Sequence, residues 1–349
     1  MLINIIKKLQ RDKINLFSRK SYLRMDKNER VSNFNNSVLK KLKFSTFDLA
    51  AYPETGFIYK ILAKKLGVSK DQLILTPGSD FGIKTCFEYF CNNNKKKSFI
   101  GFEPTFGMVD VYSKLYNIKK INIKYNKKLD IDTNYILKKI NKKISMILLA
   151  NPNSPTGTII DEKNILKIIG KAKKFQIPVV IDEAYNGFYK KSYLSFIKKF
   201  KNLIILRTFS KSYGLAGLRA GYLISNKSLI KEMCKFRPMY EINSIACKVI
   251  SILLKNPSIE KKYVLETFKG KSYFQKELKK LEIEFLRTYA NFIHINLKSK
   301  KKLIEKKLSK NKILTRKGPG VSGFESYLRI TLGPKREMEK VVKILRKHI

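Results

Sequence analysis

A chain of 349 residues with 44% hydrophobic side chains has ample apolar material for a buried core, and its length favours a large domain with a smaller companion. Its 74 Lys and Arg against 27 Asp and Glu give a net charge of +47, but the lysines are scattered in pairs and triplets such as Lys142-Lys143 and Lys300-Lys301-Lys302. That dispersion reads as compositional bias on solvated surface and argues against a specific nucleic-acid partner, which would gather the charge on one face.

The opening Met1-Leu2-Ile3-Asn4-Ile5-Ile6-Lys7-Lys8-Leu9 spaces its apolar residues helically, but lysines interrupt it before a signal-peptide core can form. It is read as an arm that packs on another surface. The longest apolar runs, such as Met146 to Ala150, fall far short of the roughly 18 residues of a membrane span, so no membrane partner is expected. Cys86, Cys91, Cys234 and Cys247 lack Cys-x-x-Cys spacing, and His294 and His348 are the sole histidines, so the chain supports neither a metal site nor a disulfide framework. Reduced thiols fit a cytoplasmic protein.

From Phe47, turn formers lead into Ile58 to Leu66, where helical apolar spacing stops at Gly67. Leu73 to Thr76 reads as a strand, followed by a Pro77-Gly78-Ser79-Asp80 turn and a helix from about Phe81 to Phe90. A strand, glycine turn and helix in that order aim backbone N–H groups at any bound anion. The alternation continues through a strand at Ser98 to Phe102, a helix at Val109 to Tyr116 and a buried strand at Ile144 to Ala150. Asp161 then caps a helix to about Phe175, with further strands at Val179 to Ile181 and Leu203 to Phe209.

This pattern predicts an α/β domain on mainly parallel strands, in which ligands gather beyond the carboxyl ends. Beyond about Pro238 the chain turns to helices at Ile245 to Leu254 and Ile259 to Leu281, then short strands at Phe292 to Leu297 and Ser326 to Leu332, an α+β pattern. The expected division is an arm and small-domain part over 1–46, a large domain over 47–238 and a small domain over 239–349.

Polar clusters fall at the predicted strand ends. Asp182, in Asp182-Glu183-Ala184-Tyr185, follows the very apolar Ile177 to Ile181, where an unpaired carboxylate would cost several kcal/mol, so it needs a cationic partner. A protonated pyridine nitrogen meets that need, and such a ring drains electrons from a substrate carbanion. Lys211, in Phe209-Ser210-Lys211-Ser212-Tyr213-Gly214, supplies a flexible amine for covalent attachment of an aldehyde. Phosphate donors are available at Gly78, Ser79, Asp80, Ser210 and Arg219. Tyr185 and a side chain of Asn151-Pro152-Asn153-Ser154-Pro155-Thr156-Gly157, either Asn153 or Ser154, are placed to hydrogen-bond the ring oxygen, and Phe106 to cover the ring face.

The segments Asn151 to Gly157, Asp182 to Tyr185 and Arg207 to Tyr222 resemble the signatures of class I/II pyridoxal-phosphate aminotransferases, most closely the histidinol-phosphate aminotransferase group. The resemblance runs from about Met25 to the C-terminus. It implies the aspartate aminotransferase-like fold (fold type I), pyridoxal 5'-phosphate as cofactor, and Lys211 as covalent anchor and acid/base. It also implies a homodimer with shared active sites, in which Tyr52 reaches the phosphate held by the neighbouring subunit. By the same likeness Arg329 clamps the substrate carboxylate, Arg316 faces substrate anions, and the arm Met25 to Val31, with Asn28, helps recognise substrate.

Departures stand at Ser154, where the group usually has Asn, at Phe106, often Tyr, and at Asn28-Glu29-Arg30-Val31, usually Asn-Glu-Asn-Pro after a Pro-Tyr pair that this chain lacks. The implied reaction moves an amino group between a small-molecule donor and an oxo acceptor: glutamate/2-oxoglutarate and a small phosphorylated pair, first of all histidinol phosphate/imidazole acetol phosphate. Decarboxylation of an amino-acid phosphate such as threonine or serine phosphate uses the same cofactor and remains the alternative.

Overall fold

The computed structural model describes residues 17–91 and 98–349, so the opening segment Met1 to Leu9 lies outside the described residues. The strands are β1 (Leu23–Arg24), β2 (Leu73–Thr76), β3 (Ser98–Glu103), β4 (Lys119–Lys124), β5 (Ile144–Ala150), β6 (Val179–Asp182), β7 (Leu203–Thr208), β8 (Gly221–Ile224), β9 (Phe292–Asn296), β10 (Ile313–Leu314), β11 (Arg316–Lys317) and β12 (Tyr327–Thr331). Seven of them form the central sheet in the order β2-β8-β7-β6-β5-β3-β4, parallel except that β8 runs against both β2 and β7. A smaller antiparallel sheet, β11-β12-β9, and a parallel pair, β1 with β10, lie outside it.

The inner strands are apolar throughout because both faces are covered. Ile147 and Leu149 of β5 join one core cluster, while Met146 and Leu148 join the cluster on the other face, as the two-residue strand period requires. Helices α1 (Gly56–Leu66), α2 (Gly78–Cys91), α3 (Met108–Leu115), α4 (Thr133–Lys139) and α5 (Glu162–Lys174) accompany this part of the chain. In α5, Ile165, Ile168, Ile169 and Ala172 are buried at helical spacing, each large side chain contributing about 1.5–3 kcal/mol. Asp161 caps that helix by accepting the Asn164 N–H at 2.9 Å. Helix α1 ends at Gly67, whose φ of 66° is the left-handed conformation that glycine adopts without strain.

After β8 come α6 (Lys227–Met233), α7 (Ser244–Lys255), α8 (Pro257–Lys280), α9 (Lys301–Lys310) and α10 (Lys335–His348). Helix α7 packs Ala246, Val249, Ile250 and Leu253 into the core beside the central sheet. Phe274 and Leu278 of α8, with Ile293, Ile295, Leu328, Ile330, Val342 and Leu345, form a separate core that also takes in Met25 and Val31. The segment 25–31 is thereby carried back from the chain start to C-terminal elements.

Strands β4 and β8 are absent from the sequence expectation. The first reads Lys-Lys-Ile-Asn-Ile-Lys and lies at the sheet edge, where lysines discourage pairing with another chain and disguise the pattern. The second is four residues long and follows directly on the glycine-rich loop. Among the described residues no helix is long and apolar enough to cross a membrane.

Candidate active site

The polar clusters converge on a cavity of about 1020 Å³ at the carboxyl ends of the parallel strands. Its walls include Asn28, Gly78, Ser79, Asp80, Phe106, Ser154, Asp182, Tyr185, Ser210, Lys211, Arg219, Arg316 and Arg329. Of the residues expected from the sequence, Tyr52 and Asn153 are not among them. The peptide bonds Glu103-Pro104, Asn151-Pro152 and Ser154-Pro155 are cis.

Lys211 follows β7 by three residues, in a turn closed by the Gly214 N–H on the Lys211 carbonyl at 3.0 Å. Its Nζ donates to the backbone carbonyls of Lys27 and Asn28 at 3.2 and 3.1 Å and lies 5.8 Å from the centre of the Tyr185 ring. Burial pushes its pKa down to about 8; the positive charges of Arg329 and Arg219 act in the same direction, against Glu29 and Asp182. A lysine so placed is far nearer to being a neutral amine at physiological pH than one on the surface.

Asp182 ends β6, buried, with one oxygen accepting the Ala184 N–H at 2.9 Å. Burial pushes its carboxyl up to about 7, reinforced by Glu183 and Asp80 and opposed by that hydrogen bond and by Lys211. Among the described residues it makes no salt bridge. Its neighbour Glu183 has a different environment. Arg207 donates to Glu183 Oε2 from Nε at 3.0 Å and Nη2 at 2.9 Å, while the Tyr193 N–H fills Oε1 at 2.7 Å. Glu183 therefore ties β6 to β7, and Asp182 is left to face the cavity.

At another side of the cavity, Gly78 and Arg219 are in close contact. A Cβ on Gly78, whose φ is +82°, would stand 2.8 Å from Arg219 Nη2. A Cβ on Gly221 would meet the Gly78 carbonyl carbon and the Ser79 nitrogen, each at 2.7 Å, so two glycines let β8 lie against the start of α2. Thr208 Oγ1 accepts the Ser210 N–H at 3.1 Å and lies 2.9 Å from Ser210 Oγ, fixing that hydroxyl beside the turn. Asp80 accepts the Tyr112 hydroxyl at 2.9 Å. The resulting group of donors, a helix start, a hydroxyl and a guanidinium, suits a phosphate.

The two alternatives for the ring oxygen separate cleanly. Asn153 is buried with its amide fully engaged: Oδ1 accepts the Thr105 hydroxyl at 2.9 Å, and Nδ2 donates to the Pro104 carbonyl at 3.1 Å and Thr156 Oγ1 at 3.0 Å. Its expected role as a cavity residue is corrected on that ground, and Ser154 takes the cavity position with a hydrogen bond to Tyr185. The Tyr185 hydroxyl also accepts from Asn28 Nδ2 at 2.9 Å. Tyr52 lies outside its own chain's cavity, 75% exposed and stacked on Tyr240 with ring centres 4.4 Å apart.

On the remaining side, Arg329 of β12 pairs in register with Arg316 of β11, and both line the cavity. Arg329 is buried and donates from Nη2 to the Asp26 carbonyl at 2.8 Å; Arg316 is exposed. Asn28, at φ 54°, donates its N–H to Thr331 Oγ1 at 3.1 Å, and its carbonyl accepts from Asn291 at 3.2 Å. Sequence reasoning missed Arg19 and Lys317 as cavity residues, and of the arm Met25 to Val31 it singled out Asn28 alone, although Lys27 and Glu29 line the cavity as well. Arg19 bonds Asp26, and reaches Glu29 at 2.7 Å. No local pattern marks Arg19, although Glu29 sits inside the motif that already pointed to Asn28.

These features fit pyridoxal phosphate on the chain's own terms: a depressed lysine amine, a buried carboxyl that lacks a cation, and a side-chain-free position against which an arginine closes. The chain belongs to the family described as aminotransferase class I and II, whose model matches residues 38–345. The family depends on pyridoxal phosphate, and so does this enzyme. Its relatives include histidinol-phosphate aminotransferase of Buchnera aphidicola subsp. Cinara cedri, 33% identical over 315 residues and 88% of each chain. The namesake of Clostridium novyi is 29% identical over 341 residues, 96% of this chain and 91% of that one.

Among solved structures, histidinol-phosphate aminotransferase from Sinorhizobium meliloti in complex with pyridoxal-5'-phosphate superposes with a TM-score of 0.85 at 20% identity, covering 98% of this chain and 97% of that one. L-threonine-O-3-phosphate decarboxylase from Porphyromonas gingivalis gives 0.77 at 21%, covering 93% and 98%. The fold is thus the aspartate aminotransferase-like α/β fold that the sequence resemblance implied.

Proposed function

We propose that this enzyme transfers an amino group between glutamate and a small phosphorylated oxo compound, with histidinol phosphate and imidazole acetol phosphate as the pair. The observation that carries this reading is the likeness, over nearly nine-tenths of both chains, to a relative named for that reaction. Lys27, Arg316 and Lys317 on the cavity wall support an anionic substrate.

Pyridoxal phosphate supplies the electron sink that stabilises a carbanion at the substrate α-carbon. The chain's residues do the rest. Lys211 Nζ would anchor the cofactor and, once released from it, would carry the proton from the substrate α-carbon to the cofactor; such acid–base catalysis contributes typically about 10²–10⁴-fold. Asp182 keeps a proton on the ring nitrogen, the cation its buried carboxyl lacks. Ser79, Ser210 and Arg219 hold the phosphate, Tyr185 and Ser154 orient the ring oxygen, and Phe106 shields the ring face from water. Arg329 clamps the glutamate carboxylate, since its planar fork matches a carboxylate in a way that lysine does not.

In this reading the working unit is a cytoplasmic homodimer. Phe47, Leu49, Tyr52 and Met239, all more than 60% exposed, leave an apolar surface around the Tyr52–Tyr240 stack, and Tyr52 completes the neighbour's phosphate site. The functional division is an arm and small-domain part over 1–46, a large cofactor domain over 47–238 and a small domain over 239–349, with the one change that helix α7, which packs beside the central sheet, goes with the large domain.

The assay incubates purified protein with histidinol phosphate and 2-oxoglutarate and follows glutamate. Carbon dioxide released from threonine or serine phosphate, without glutamate formation, would instead establish the decarboxylase reading. Turnover of neither set would overturn the substrate assignment.

A further inference from the structure

Strands β9 and β12 are antiparallel, and their register sets His294 directly opposite Arg329. Opposed residues in such a ladder project from one face with Cβ atoms about 4.5–5.5 Å apart. His294 is 1% exposed, and one edge of its ring is fixed, with Nε2 2.7 Å from the Pro155 carbonyl oxygen. A carbonyl can only accept, so Nε2 carries the proton and the neutral ring leaves Nδ1 as a bare acceptor. Burial and the nearby Arg329 charge hold the ring neutral by pushing its pKa down to about 3.

Nδ1 of His294 is buried with no hydrogen-bond partner among the described residues, and so is Nε of Arg329. An unpaired acceptor and an unpaired donor thus belong to two residues that face each other. Both lie by the Phe292 ring: the Arg329 guanidinium carbon is 5.2 Å from its centre and the His294 ring centre 5.5 Å. Buried polar groups in native proteins are nearly all paired, and a complementary pair of exceptions on facing residues calls for a state in which they meet. In this structure the guanidinium is turned to the arm instead, with Nη2 on the Asp26 carbonyl at 2.8 Å.

We propose that His294 is a positioning residue for Arg329, its Nδ1 taking the Arg329 Nε–H when the guanidinium turns from the Asp26 carbonyl to a substrate carboxylate. This rests on the reading of Arg329 as the carboxylate clamp. With Nε–H held by the imidazole, the two Nη groups present parallel donors to a carboxylate, which is the bidentate arrangement. The imidazole is itself fixed to Pro155, next to Ser154. The aim of the substrate arginine is therefore set from the same loop that places Ser154 in the cavity.

Nitrogen-15 spectra test this directly, because the chain has two histidines and a His348→Gln variant assigns the resonances. Holoenzyme is titrated with succinate, an unreactive dicarboxylate. The expected result is a His294 ring that stays in its Nε2–H form while its Nδ1 resonance moves upfield on saturation, a shift lost in Arg329→Lys. An Nδ1 resonance unmoved by saturating succinate overturns the proposal, with the clamp reading intact if Arg329→Lys still weakens binding. Succinate affinity that ignores Arg329→Lys overturns both together.

A variant pair gives a second measurement. His294→Gln keeps a donor for Pro155 and leaves no acceptor at the Nδ1 position, and should weaken succinate binding about 10-fold, the scale of one hydrogen bond to a charged donor. His294→Asn keeps an oxygen near the Nδ1 position and should bind nearer to the parent. Equal succinate affinity in His294→Gln and the parent overturns the proposal, and the spectra of the unsubstituted ring decide the matter should a variant fold poorly.

Discussion

The guanidinium of Arg219 stands where a side chain at position 78 would have to be, with Nη2 2.8 Å from the Cβ that Gly78 lacks. Arg219 is itself at φ 48°, a left-handed conformation held by the three-residue turn before it. Gly78→Ala should therefore displace the guanidinium as well as strain a backbone at φ +82°. Cofactor affinity, measured by equilibrium dialysis, is expected to fall in Gly78→Ala and in Arg219→Ala. The second loss should reach about 10- to 100-fold, the 1.5–3 kcal/mol of a charge-assisted hydrogen bond. Unchanged affinity in both variants would remove Arg219 from the phosphate site.

Asp182 carries a pH signature in the cofactor-free protein. Its carboxyl is raised by burial to about 7, above its ordinary value, so the fold favours the protonated form. The stability tied to this group is complete below about pH 4 and is lost as pH rises toward 7, when a buried charge appears without a cation. Cofactor-free Asp182→Asn should accordingly melt higher than the parent at pH 8 and match it more closely at pH 5. With cofactor present the order should reverse, because the carboxylate then has its partner. Identical melting behaviour of the two proteins at pH 8 would contradict the assignment.

Lys211 should capture pyridoxal phosphate at a rate that climbs up to about pH 8 and levels off above it, since the neutral amine is the nucleophile and its pKa is held near 8. Removing the nearby cation in Arg329→Ala favours the charged amine and should move that limb to higher pH. Lys211→Ala should show no turnover and no cofactor label on the chain after borohydride treatment, with circular dichroism unchanged. A label elsewhere together with activity would place the chemistry on another amine.

Mixed subunits test the shared site. A Tyr52→Ala chain and a Lys211→Ala chain, each weak or inactive alone, should regain activity on co-refolding, because one of the two sites in the mixed dimer receives an intact Lys211 and the neighbour's intact Tyr52. Failure of rescue in a verified heterodimer would mean that Tyr52 serves its own chain or none.

Much of this site is legible in the sequence because strand-end placement follows from local pattern. The apolar run Val179 to Ile181 brings Asp182 to the cavity, and Leu203 to Thr208 does the same for Lys211. What local pattern does not reveal is how a polar loop divides its hydrogen bonds. Asn153 and Ser154 are adjacent and equally polar, yet Thr105 and Pro104, some fifty residues earlier, claim the amide and turn Ser154 to the cavity. Arg19 escapes for a related reason: it reaches the site through Asp26 and Glu29, whose own position depends on Met25 and Val31 packing into a core near the far end of the chain. Strand β8 escapes because it follows directly on the glycine-rich loop, which masks its start, and with it goes the contact of Gly221 on Gly78.

Three successive peptide carbonyls of the arm hold the two most important cations of the cavity. Asp26 holds Arg329, while Lys27 and Asn28 hold Lys211. The tether is short and its ends, Met25 and Val31, are embedded in one core, so its peptide planes cannot reorient independently. In the cofactor-free protein, an inert anion that engages Arg329 is therefore expected to act on the same short segment that holds Lys211, and should speed the capture of pyridoxal phosphate.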